Sequence, residues 1–296
     1  MIFDFIGNRR YWIIFSSFML ALGIVAFGYN LIVRGSVFNF GTDFTGGTMI
    51  SLRFDKQVSV HDVRLELDKY DLGQSVIQKS GENDISIRAQ QVMPDLRIKL
   101  LEDLRAKYGQ VEILEVDTIG PMMGKELQMQ AILALILASI GIIIYISFRF
   151  EFKYAMAALL ALYHDAIITA GLTALLWRNV EAPFVAALLT IMGYSINDTI
   201  VIFDRIRENL KIYSGKKKKF VEIINISIAE TMARSINTVL TVVVMVLCLL
   251  FFGGETIRDF ALVLLFGFVI GAYSSIFVAP PILAAWAARE AKSSRR

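Results

Sequence analysis

The chain has 296 residues, of which 56% are hydrophobic and 19% charged, with a mean hydropathy of +0.58. Soluble domains are usually about 45–50% apolar, so the composition argues against an ordinary soluble enzyme and for a protein that lives in a bilayer. The formal charge of +3 gives no reason to expect nucleic acid as a partner, and the single Cys248 rules out an intrachain disulfide.

The apolar residues gather in six runs, at 11–33, 127–148, 154–177, 183–203, 236–252 and 260–288. The first two contain no charged residue and exceed the roughly 20 positions needed to cross the hydrocarbon layer. Each run is read as a transmembrane helix. Arg9 and Arg10 ahead of the first run resemble the start of a signal peptide. The run outlasts a signal's apolar region of roughly 7–15 residues, so a retained helix is expected.

Between the first two runs, residues 34–124 have ordinary mixed composition and suffice for a small domain. The segment opens with FNFGTDFTGGTMI at 38–50. Gly41, Gly46 and Gly47 permit positive φ there, and Asp43 can accept from nearby backbone N–H groups. The loop has neither the lysine nor the strand-loop-helix setting of a phosphate loop. It is expected to be a structural turn into the first strand. In TMISLRF (48–54), Ile50, Leu52 and Phe54 alternate with Ser51 and Arg53, as in a strand with one buried face. Residues 58–70 carry Val63, Leu67 and Tyr70 at helical spacing. Segments 74–78 and 84–88 read as short strands around a turn at 81–83. Residues 94–109 run from Pro94 to Gly109 as a helix with Leu96, Leu100, Leu104 and Tyr108 inward, and 111–116 closes as a strand. The order β-α-β-β-α-β is the ferredoxin-like arrangement. His61 stands alone at a helix start, and with His164 far along the chain no metal site, cofactor site or catalytic constellation is expected.

Lys and Arg favour cytoplasmic connections. Sixteen of them fall before the first run, between the second and third, between the fourth and fifth, and after the sixth; they include Lys216 to Lys219 and Arg289, Lys292, Arg295 and Arg296. The two short connections on the other side carry only Arg178 and Arg258. Both termini are therefore expected in the cytoplasm and the 34–124 domain outside. The predicted architecture is an α-helical polytopic membrane protein: 1–33 as N-terminus and first helix, 34–124 as an extracytoplasmic α+β domain, 125–288 as helices two to six with a basic cytoplasmic connection at 204–235, and 289–296 as a tail.

The fourth run contains GYSINDTIVIFDRIREN at 193–209, which places Asn197 and Asp198 inside a greasy helix. Counted from Pro183, Asp198 lies about 22 Å deep. A central carboxylate costs roughly 2.5–3.5 kcal/mol on insertion scales, so it should face protein or water, with Ser195 one turn away. The third run carries His164 and Asp165, followed by Thr169 and Thr173 at four-residue spacing. ETMARSINTVLT (230–241) puts Arg234, Thr238 and Thr241 on one face with Asn237 beside them, and the spacing allows an Asp198–Arg234 pair. The plain structural reading is interhelical hydrogen-bond glue at about 0.6 kcal/mol each. Asn, Ser and Thr suit it. Asp198 does not, since an amide would glue as well without the cost of a charge. Gly267 and Gly271 form a small-xxx-small pair for helix packing.

FGTDFTGGT (40–48), YHDAIITAG (163–171), GYSINDTIVIFDRIREN (193–209) and ETMARSINTVLT (230–241) occur in this order around one exterior domain. In these motifs the chain resembles the SecF family of the SecDF protein-export apparatus, within the resistance-nodulation-division superfamily. The resemblance covers essentially the whole chain; SecD-like motifs are absent, so it reads as a separate subunit. It implies an accessory role, not an enzyme, in the release of secretory polypeptides on the outer face of a bacterial or archaeal cytoplasmic membrane. It also implies pairing with SecD in a pseudo-symmetric twelve-helix assembly, work beside the SecYEG channel with YajC and YidC as further neighbours, and use of the proton-motive force. Asp198 and Arg234 match the family positions implicated in proton transport. A proton-driven small-molecule exporter and a purely structural translocon subunit are the rival readings.

Overall fold

The computed structural model describes residues 3–73, 75–89, 92–215, 218–254 and 257–293. Gln74 of the second predicted strand, Lys216 and Lys217 of the basic connection, and Arg295 and Arg296 of the tail lie outside the described residues. In chain order the elements are α1 (Arg9–Arg34), β1 (Asn39–Phe40), α2 (Thr42–Thr45), β2 (Gly47–Phe54), α3 (Val60–Asp68), β3 (Val76–Lys79), β4 (Asp84–Ala89) and α4 (Pro94–Tyr108). They continue with β5 (Val111–Ile119), α5 (Pro121–Arg149), α6 (Phe152–Leu175), β6 (Asn179–Val180), α7 (Ala182–Ile212), α8 (Phe220–Phe252), α9 (Arg258–Phe277) and α10 (Ala279–Ser293). Two compact units emerge: a helical unit of 1–39, 135–178 and 183–296, and a lobe of 40–134 with 179–182.

In the lobe, β2 to β5 form a four-stranded antiparallel sheet in the order β3-β4-β2-β5. That is the ferredoxin-like order expected from two interleaved β-α-β units. The alternation in β2 works as the pattern predicts: Ile50, Leu52 and Phe54 are buried with Val63 and Leu67 of α3 and Leu100 and Leu104 of α4. Ser59 caps α3 by accepting from the Asp62 N–H at 3.1 Å, and Pro94 opens α4. Gly109 ends α4 at φ +89°, a conformation that favours glycine. A register shift between Ser51 and Leu52 lets the longer β5 follow β2 to Phe54.

Among the described residues, six helical segments are long and apolar enough to span a bilayer: Arg9–Arg34, Met122–Arg149, Phe152–Leu175, Ala182–Ile212, Phe220–Phe252 and Arg258–Glu290. The last is one run in the sequence but two helices in the structure. Pro280 and Pro281 have no N–H to give to the turn before them, and the chain breaks between α9 and α10 at Val278. The expected 204–235 connection is likewise mostly helical. Both flanking helices keep an inward face beyond their apolar runs, with Ile206 and Asn209 of α7 buried along with Ile224, Ser227 and Ile228 of α8. Asn209 donates to Ser227 Oγ at 3.0 Å, and Arg205 pairs with Glu230 at 2.7 Å.

Alanines of α6 (Ala157, Ala158, Ala161) form the centre of the helical core with Phe203, Ile206, Ile224, Ile228 and Leu283. The crossing of α1 with α6 is tight enough that a Cβ on Gly171 would lie 2.6 Å from the Gly23 Cα. The spans formed by α1, α5 and α8 bury 17%, 6% and 11% of their apolar windows, against 61% for α6 and 56% for α7. Those three helices therefore present the uncovered faces of this unit.

Candidate functional site

Four helices bring a line of polar side chains together in the helical core. The buried face of α7 presents Ser195, Asp198 and Thr199. Its neighbour α9 approaches closely because Gly267 and Gly271 face it: a Cβ at Gly267 would meet Ile191 at 2.1 Å, and one at Gly271 would meet Ser195 at 3.2 Å. One turn further, Ser274 and Ser275 of α9 are fully buried.

Asp165 of α6 is completely buried and fully satisfied. Ser195 Oγ and Ser274 Oγ each donate to its Oδ2 at 2.6 Å, and His164 Nδ1 lies 2.9 Å from its Oδ1. The His164 ring stacks on Tyr273 with centroids 6.5 Å apart, and Tyr273 Oη donates to the Trp12 carbonyl of α1 at 2.9 Å and lies 3.1 Å from Ser16 Oγ. Thr173 turns its hydroxyl onto the Thr169 carbonyl of its own helix.

Asp198 is held differently. Ser235 of α8 donates to its Oδ1 at 2.7 Å, while its Oδ2 is buried with no hydrogen-bond partner among the described residues. Thr199 Oγ1 lies 3.0 Å from Ser275 Oγ, which continues the polar line from Asp165 past Asp198. A carboxylate with one oxygen anchored and the other open can take up and give back a proton without dismantling its surroundings. A fully bonded one must give up or reverse a hydrogen bond to do so.

Several expected site residues lie elsewhere. Arg234 forms no ion pair with Asp198 in this structure. It is exposed, and its neighbour Ser235 makes the contact instead, because one residue along a helix turns the side chain by about 100°. Asn237 and Thr238 share that exposed face of α8, where Thr238 returns its hydroxyl to the Arg234 carbonyl at 2.7 Å. Asn197 points out of α7, away from the Ser195–Asp198–Thr199 face. Ser235, Ser274, Ser275, Thr199 and Tyr273 were not anticipated as site residues. Their signal was available: Tyr273, Ser274 and Ser275 interrupt an otherwise apolar run, and Ser235 directly follows Arg234.

In the lobe, the 41–47 loop is more than a turn. It contains the helical turn α2, after which Gly46 and Gly47 take φ of +70° and +121°. Asp43 Oδ2 accepts from the Ala182 N–H at 2.8 Å, and the Gly41 N–H donates to the Val180 carbonyl at 3.0 Å.

These features define a polytopic membrane protein that combines a ferredoxin-like lobe with buried carboxylates on two adjacent spans. Residues 99–289 match the family model described as protein export membrane protein SecD/SecF, C-terminal, and residues 35–58 match the SecD/SecF GG motif. The protein translocase subunit SecF of Desulfurispirillum indicum is 41% identical over 96% of this chain and 92% of its own length. The protein translocase subunit SecDF of Bacillus subtilis is 40% identical over 98% of this chain but only 39% of its own. The crystal structure of SecDF from Thermus thermophilus, titled a translocon-associated membrane protein, superposes with a TM-score of 0.86 at 36% identity. It covers 97% of this chain, which spans 39% of that longer one. The chain belongs to the SecF branch of the SecD/SecF protein-export family.

Proposed function

We propose that this chain is an accessory subunit of the Sec protein translocase that pairs with SecD and uses the proton-motive force to promote release of secretory polypeptides on the outer face of the cytoplasmic membrane. The lobe then faces outward and both termini face the cytoplasm, as the distribution of Lys and Arg favours. SecYEG is the channel it serves, with YajC and YidC as further neighbours.

The observation that carries the reading is the buried Asp198, with one oxygen held by Ser235 and the other unpartnered. Asp198 is the group that binds and releases the proton. Asp165, bonded on both oxygens, holds α6, α7 and α9 in register around it. A proton moving through 100 mV supplies about 2.3 kcal/mol, enough to shift a two-state balance of helix packing nearly fifty-fold. Arg234 acts as the mobile counter-charge: outside ion-pair range here, it approaches ionised Asp198 in the alternate packing.

The test is proton-driven export into inverted membrane vesicles. Asp198→Asn is expected to abolish the component that a protonophore also removes, while SecD still co-purifies. If that component survives in full, Asp198 is not the proton site. Loss of SecD together with export would mark a structural role instead.

A further inference from the structure

Within the helical unit, α1 and α10 each pack against α6 but leave a groove of about 400 Å³ between them. It runs from Arg9 to Ser17 on α1 and from Phe277 to Ala288 across the break between α9 and α10. The break makes the room, because Pro280 and Pro281 end the straight run at Val278 and set α10 on a new course. The floor is fixed. Trp12 packs on Phe277 with ring centroids 4.2 Å apart, and its indole N–H donates to the Phe5 carbonyl at 3.2 Å. Ser16 Oγ is occupied by Tyr273 Oη at 3.1 Å. With those polar atoms engaged, the groove offers mostly hydrocarbon along its length. Arg9 differs. It is exposed, and among the described residues its guanidinium has no acidic partner.

Arg9 is the first residue of α1, two positions ahead of the apolar run that begins at Tyr11. Eight residues separate it from Ser17, about 12 Å at 1.5 Å per residue. That is close to half of a hydrocarbon layer about 30 Å thick, the depth of one leaflet. A helix about 10–12 Å wide would need roughly 900 Å³ or more over the same length, over twice what the groove holds. A single acyl chain is the slimmer apolar group that a membrane supplies, and an unpaired cation at the charged end suits a phosphate. We propose that the α1–α10 groove is a binding site for an anionic phospholipid, with one acyl chain along Trp12 and Phe277 and the headgroup phosphate at Arg9. This site goes beyond the function proposed above and does not depend on proton coupling.

Trp12 is a reporter built into the site. The full chain carrying Trp177→Phe and Trp286→Phe is reconstituted in phosphatidylcholine vesicles containing a minority of lipid brominated on its acyl chains, which quenches an indole on contact. Brominated phosphatidylglycerol should quench Trp12 about fivefold more effectively than brominated phosphatidylcholine at the same mole fraction, the equilibrium factor of one cation at a membrane surface. Arg9→Gln should erase the preference. Arg10, equally exposed, does not line the groove, so Arg10→Gln should keep it. Ala285→Leu narrows the groove from an exposed position and should lower quenching by either lipid. Emission matching the parent's in unbrominated vesicles shows that each variant is folded. Equal quenching by the two lipids, equal effects of Arg9→Gln and Arg10→Gln, or indifference to Ala285→Leu would each overturn the site, leaving diffuse surface attraction. The measurement is repeated with SecD present, where the difference from a protein that also carries Trp12→Phe isolates Trp12. Quenching that persists supports the lipid, and quenching that vanishes shows a partner helix over the groove and overturns it.

Discussion

At the scale of single residues, the two buried carboxylates differ in how completely they are bonded. Asp165 has hydrogen-bond partners on both oxygens and Asp198 on one. In the function proposed above, the first is the fixed part and the second takes up the proton. A third acid, Glu66 of the lobe, shows what full pairing does for stability. It is 2% exposed and bridges Lys107 of α4 and Lys69 beside α3. Lys107 first, then Lys69, hold its carboxyl below the ordinary value of 4.5, against the opposing effect of burial. A lowered folded-state value means the bridge stabilises the lobe above the titration of the unfolded acid and loses that contribution as pH falls through the folded value. Glu66→Gln should therefore lower the lobe's unfolding temperature at neutral pH and flatten its decline into the acid range. Calorimetry of the purified chain across pH checks this, and an acid limb as steep as the parent's would show that the bridge contributes nothing.

Among elements, the tight crossings are where glycine identity matters. Gly171 and Gly23 let α6 and α1 touch backbone to backbone, so Gly171→Ala must push the helices apart. Overpacking of this kind costs about 1–3 kcal/mol. Gly28, on the same α1 helix, has nothing within 4 Å of its Cβ position. Gly28→Ala should be neutral or slightly stabilising, since alanine is the better helix former by up to about 1 kcal/mol. Thermal stability of the two variants in detergent gives the comparison; equal losses would show that the crossing is looser than described. The break between α9 and α10 belongs to this scale too. Prolines forced it, yet the apolar run that conceals it is continuous.

For the whole molecule, the question is what covers α5 and α8. The apolar windows of both are almost bare within this chain, and α8 displays Arg234 and Asn237 among Ile236, Leu240 and Met245. An amide facing acyl chains is costly, so a partner helix is the better cover, and SecD is the partner proposed. Asn237→Leu separates the two environments. On a lipid face it should leave assembly untouched; on a partner face it should reduce the SecD recovered with the purified chain. Quantitative co-purification from solubilised membranes reads the outcome.

Much of this protein was legible in its order of residues alone. Continuous apolar runs longer than a bilayer's width can be little else than spans, and strict alternation in 48–54 makes a one-sided strand, because both patterns follow from local geometry. That Asp198 should face protein or water was legible too, from the cost of a carboxylate in hydrocarbon. Which serines answer the two buried carboxylates was not: Ser235 and Ser274 reach them from other helices, and only packing selects those contacts. Packing also turned Arg234 and Asn197 outward, a matter of helix rotation that spacing leaves undetermined. Likewise, nothing near Asp43 in sequence reveals that it caps a helix 139 positions away. Local periodicity decides which elements form and which faces are apolar; the side-chain pairs between distant segments depend on how those faces dock, and that is a property of the folded chain.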